Sequence, residues 1–97
     1  MNVGVCKIKL RIPESHSFKG KRSVVKSLSQ RIQNNFNVSV AEVNDNESWQ
    51  MATLGITCAS NSARHADEII SNVLSYIESS WEDLEIIDID QENISGF

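Results

Sequence analysis

Three cations, Lys19, Arg22 and Lys26, recur at i, i+3 and i+7, with His16 and Ser17 just ahead of them. At helical spacing those positions share one side of a helix. Ser17 is suited to open that helix, its hydroxyl accepting from a backbone N–H two or three residues on. A helix opening has unpaired N–H groups and the positive end of the peptide dipoles, so it already favours anions. The chemistry this predicts is capture of a phosphate, of RNA or of a nucleotide, by Lys19, Arg22 and Lys26, with His16 or Ser17 assisting. The competing reading is a solvated helix face, the usual role of a charge run. Against it, each cation near a helix N-terminus opposes the dipole by ~0.3–1 kcal/mol, and no acid lies within this helix to offset that cost.

The other reactive side chains give no catalytic pattern. His16 and His65 are the two imidazoles, and neither has a Ser, Cys or carboxylate placed by a nucleophile motif. Cys6 and Cys58 stand apart, without CxxC or a histidine at ligand spacing, so neither zinc nor a redox dithiol is suggested. No enzyme, metal or cofactor is expected.

The elements that must hold the basic band belong to one domain, residues 1–97, with ordinary composition: 40% hydrophobic and 23% charged. No apolar run approaches the ~20 residues that span a bilayer, and MNVGVCKIKLRIP lacks the apolar core of a signal peptide. The expected compartment is the cytoplasm, where both thiols stay reduced. The net charge of −4 conceals an asymmetry. Residues 1–31 hold eight of the nine Lys and Arg against one acid, Glu14, whereas residues 32–97 hold only Arg64 against twelve acids.

Along the chain, residues 3–12 alternate, with Cys6, Ile8, Leu10 and Ile12 on one face and Lys7, Lys9 and Arg11 on the other, the pattern of a half-buried strand. Pro13 ends it. In the helix from Ser17, Val24, Val25, Leu28, Ile32 and Phe36 form the apolar stripe, and Asn34-Asn35 is the expected stop. Lys21 falls on that stripe, its stem expected to pack and its ammonium to reach water. Gly20 stands where a capping box would want Glu or Gln. A second strand is expected over 37–43, a turn over 44–47, and a third strand over 49–59 with Leu54, Ile56 and Cys58 on one face. Ser60, Asn61 and Ser62 are N-cap candidates for a second helix striped by Ala66, Ile70, Val73 and Ile77, with His65 beside the stripe. A fourth strand is expected over 84–90, with Ile87 and Ile89 opposed in facing to Asp88 and Asp90; QENISGF shows no usable pattern.

Strand, helix, strand, strand, helix, strand predicts an α+β, ferredoxin-like βαββαβ sandwich. Its four-stranded antiparallel sheet has order 4-1-3-2, with both helices on one face. In that sheet Lys7, Lys9 and Arg11 should face Asp88, Asp90 and Glu92, each pair contributing roughly 0.2–1 kcal/mol. Cys6 and Cys58 should lie close on the helix side of adjacent strands. Val5, Trp49 and Met51, with Ile86 opposite, should leave an apolar zone on the uncovered face. That zone predicts a homodimer with Trp49 and Met51 at its contact. The topology also serves RNA-recognition modules that stack bases on aromatics of strands one and three. Strand one has none and strand three only Trp49, which excludes that mode. Acylphosphatases share the topology and need a glycine-rich loop after strand one; PESHS has no glycine, and Pro13 removes one donor.

Three segments, HSFKGKRSVVKSL (16–28), FNVSVAEV (36–43) followed by WQMATLGI (49–56), and SNSARHADEII (60–70), resemble the YlxP-like family, small bacterial domains of unknown function. Members usually carry an acid where this chain has Gly20. The resemblance implies a ferredoxin-like fold and no established activity; genes of the family often lie among those for translation and ribosome maturation. The expectation is a noncatalytic accessory factor associated with RNA or the ribosome through its basic helix. The alternative is a dimeric module binding a small anion or a protein.

Overall fold

Two periodicities, of two and of 3.6 residues, divide the chain into four strands and two helices. The structure, a computed structural model, describes residues 1–12, 17–44, 48–80 and 84–97. His16 and most of the expected turn, 45–47, lie outside the described residues. The elements are β1 (Asn2–Arg11), α1 (Phe18–Asn35), β2 (Ser39–Asn44), β3 (Met51–Ser60), α2 (Ala63–Ser80) and β4 (Glu85–Ser95). They form one antiparallel sheet of order β2-β3-β1-β4. α1 lies over β2 and β3, and α2 over β1, β3 and β4. This is the expected ferredoxin-like sandwich.

The core is the set of side chains that alternation and helical spacing place between the two layers. Cys6, Ile8, Leu10 and Ile12 are buried at β1 and just beyond it, and Leu54, Ile56 and Cys58 on β3. Leu28 and Ile32 of α1 and Ala66, Ile70, Val73 and Ile77 of α2 close over them. Each fully buried Leu or Ile contributes about 1.5–3 kcal/mol relative to exposure. The register opposes Ile8 to Leu54, Cys6 to Ile56 and Gly4 to Cys58, so both thiols face the helices, as expected, and both are free. Gly4 lets α2 approach β1. A Cβ there would lie 2.9 Å from Cys58 Sγ and 3.2 Å from Ile70 Cγ1.

β4 departs from the expectation in two ways. Lys7 opposes Asp90 and Lys9 opposes Asp88, but Leu10 opposes Ile86, so an irregularity leaves Ile87 with no residue opposite it. The extra residue shifts the alternation by one. Ile86 therefore shares the face of Leu10 and packs against the core rather than standing on the uncovered face. The strand also continues past 90, where Gln91, Asn93 and Ser95 oppose Cys6, Gly4 and Asn2. Asn93 Nδ2 there donates to the Ala63 carbonyl at 3.0 Å and to Asp67 Oδ1 at 3.1 Å, tying the strand to α2.

A second irregularity lies between Glu42 and Asn44 of β2. It leans Val43 over Gly55, where an added Cβ would lie 2.6 Å from Val43 Cγ1.

Candidate phosphate-binding face of the first helix

α1 carries five cations, Lys19, Lys21, Arg22, Lys26 and Arg31, and no acid. Its first turn is closed as the sequence predicts: Ser17 is extended and its Oγ accepts from the Gly20 N–H at 3.0 Å. The hydroxyl is thereby engaged as a helix cap.

Lys19, Arg22 and Lys26 are all exposed. Among the described residues none of the three enters an ion pair. Charged pairs are seen between Lys7 and Asp90, 3.9 Å apart on the sheet, and between Glu68 and both Arg64 and His65 along α2. His65 is exposed, with its Nδ1 3.9 Å from Glu68 Oε2. Lys9 opposes Asp88 and Arg11 opposes Glu85, whereas Glu92 opposes Val5. The basic strand thus has acids set against it, whereas among the described residues Lys19, Arg22 and Lys26 of the basic helix meet none as an ion pair.

Lys21 corrects the sequence reading. Its ammonium does not rise to water: the residue is 3% exposed, and Nζ donates to the Ser48 carbonyl at 3.3 Å and the Met51 carbonyl at 3.2 Å. The same nitrogen lies 5.5 Å from the centroid of the Phe18 ring. Lys21 is thus a buried tie between α1 and the turn ahead of β3.

That turn also relocates Trp49. β3 begins at Met51, so Trp49 falls outside the strand alternation. Its ring meets Phe18 edge to face, with centroids 6.2 Å apart and planes at 84°. Met51 stays on the uncovered face opposite Arg11. Trp49 thus stands off the strand beside Phe18, still 45% exposed, while Met51 keeps the uncovered face, and with Ile86 turned inward the apolar zone on the sheet is smaller than the sequence suggested. Phe18 is the residue that sequence reasoning missed. Its signal was present, because 18, 21, 25, 28 and 32 continue the apolar stripe back to the helix opening.

The remaining depressions are open. One of about 660 Å³ runs along the outside of α2 between Arg64, Asp67, Glu68, Ser71 and Asn72. Among the described residues no three His, Cys, Asp or Glu side chains converge as metal ligands, and no helix is long and apolar enough to cross a membrane.

The class is therefore an α+β sandwich of the ferredoxin type with a basic first helix. Solved structures agree on the fold. A de novo designed protein with ferredoxin fold, LFR1 1, matches with TM-score 0.51 and 12% identity, covering 97% of this chain and 84% of the design. The de novo designed protein Foldit4 matches with TM-score 0.50 and 11% identity, over 98% of this chain and 99% of its own. Within that class the chain belongs to the family described as Protein of unknown function (DUF503), whose model matches residues 3–91. It is also 34% identical over 77 residues to the uncharacterized protein YlxP of Bacillus subtilis (strain 168), covering 79% of this chain and 84% of that protein.

Proposed function

We propose that this protein is a noncatalytic, cytoplasmic accessory factor that binds RNA, free or within the ribosome, through the exposed face of α1. The observation that carries the reading is the contrast between the two basic elements. On β1, Lys7, Lys9 and Arg11 stand opposite Asp90, Asp88 and Glu85. On α1, Lys19, Arg22 and Lys26 are exposed, share one side and enter no ion pair among the described residues. Unpaired cations at the positive end of a helix carry a cost that bound phosphate would offset. The body's net charge of −4 works against indiscriminate binding, so contact is confined to this face.

The test is co-sedimentation of the tagged protein with ribosomal subunits and rRNA, comparing the parent with the variant carrying Lys19→Ala, Arg22→Ala and Lys26→Ala. Loss of association in the variant supports the reading. Equal association of the two reduces the band to a solvated face.

A further inference from the structure

We infer that the opening of α1 takes an unpaired nucleotide: Trp49 and Phe18 offer a base its stacking surface, while Lys19 and Arg22 take the flanking phosphates. This rests on the proposed RNA-binding role and adds to it the kind of RNA, a single-stranded segment. Phe18 and Trp49 are each 45% exposed although they touch one another, so part of each ring remains open to solvent. Aromatic faces beside cations are what single-strand binders present, because every base has a π-face to stack and a phosphate to neutralise. Arg22 lies one helical turn beyond Phe18, with about 5–6 Å between Cβ atoms at that spacing, and Lys19 is its immediate neighbour.

The aromatic surface is built rather than incidental. Lys21 passes beneath it, its ammonium donating to Ser48 O and Met51 O on either side of Trp49 and Gln50 and lying 5.5 Å from the Phe18 centroid. The turn that carries Trp49 is thereby fixed to the helix that carries Phe18 before any ligand arrives, which lowers the ordering cost of binding. Charge complementarity chooses the occupant. A second copy of this acidic chain would bring net negative charge without a base, and duplex RNA keeps its bases stacked inside, away from an aromatic edge. The sheet face offers no equivalent, since Lys7, Lys9, Thr53 and Gly55 occupy the positions where the sheet-binding mode displays rings.

Replacing Trp81 by Phe leaves Trp49 as the one tryptophan of the two. In that background, titration with a single-stranded oligoribonucleotide of about ten nucleotides, within the range such sites cover, should quench the Trp49 emission. A duplex of equal length should bind more weakly and quench little. Trp49→Ala and Phe18→Ala should each weaken single-strand binding about 5- to 150-fold, the range of one stacked base, and leave the salt dependence unchanged. Trp49→Phe, which keeps a ring, should stay within a few-fold of the parent. If the alanine variants bind as the parent does and no quenching occurs, or if duplex binds as tightly, stacking is overturned while the phosphate-binding face survives. If neither form of RNA binds the parent, both readings fall. Self-association seen by sedimentation and lost in Trp49→Ala would assign the surface to a second copy and overturn the inference.

Discussion

The ammonium of Lys21 lies 3.2 Å from the backbone oxygen of Met51, thirty residues further along the chain. A second carbonyl, that of Ser48, accepts from the same nitrogen at 3.3 Å. The residue is 3% exposed, its nitrogen lies over the Phe18 ring, and the charge ends on carbonyls rather than in water. One side chain therefore joins the helix of the basic face to the turn that carries Trp49.

Lys21→Met keeps the stem and removes the charge, leaving the two carbonyls short of a donor. Hydrogen bonds from a charged donor are worth about 1.5–3 kcal/mol, and the variant should lose stability in that range in urea unfolding. Made in the Trp81→Phe background, it should also show a red shift of the Trp49 emission as the turn loosens. A variant as stable as the parent, with unchanged emission, would show that the tie contributes nothing.

Gly4 should resist substitution for reasons of space. Gly4→Ala places a methyl 2.9 Å from Cys58 Sγ, 3.2 Å from Ile70 Cγ1 and 3.4 Å from the Ala66 carbonyl. Overpacking of this kind costs about 1–3 kcal/mol. Adding Cys58→Ala removes the nearest atom, so the double variant should lose less than the two single losses combined. Strict additivity in denaturant midpoints would contradict the assigned contact.

Burial pushes the Cys6 thiol above its ordinary pKa of 9.0, and the negative charge of Asp90 pushes it the same way. A raised folded-state pKa means that the folded chain holds its proton where the unfolded chain releases it. The contribution is therefore fully present below pH 9.0 and is lost as pH rises through the folded value. Unfolding free energy measured between about pH 8 and 10 should fall for the parent, and fall less steeply for Cys6→Ala. Identical slopes would remove Cys6 from the alkaline loss. Native-state alkylation of Cys6 should also be slow, since the residue is 1% exposed.

Much of this fold is legible in the sequence because its pattern is simple where the core is built. Residues 6, 8, 10 and 12 alternate without interruption, and 66, 70, 73 and 77 hold helical spacing, so the inward faces follow directly. Ser17 and Ser62 announce their helices, each accepting from the N–H three residues on. What escaped depends on tertiary geometry. The irregularity beside Ile87 reverses the facing of Ile86 and has no local signature. The end of β4 is polar because Asn93 reaches α2, so no apolar alternation marks it. The depth of Lys21 depends on two carbonyls 27 and 30 residues away, and Trp49 leaves the sheet because the same turn carries it to Phe18. Of the site residues, Lys19, Arg22 and Lys26 stand where helical spacing puts them, and Ser17 is spent on the cap.

The salt dependence of RNA binding tests the central claim most directly. Each phosphate contact contributes roughly 0.7–0.9 to the slope of log affinity against log salt. The variant lacking the charges of Lys19, Arg22 and Lys26 should bind rRNA or ribosomal subunits at least several-fold more weakly, with a slope flatter by about two to three. Its thermal stability should hold or rise slightly, since cations at that helix end oppose the dipole. Parent and variant binding with the same affinity and the same slope would contradict a phosphate-binding role for α1.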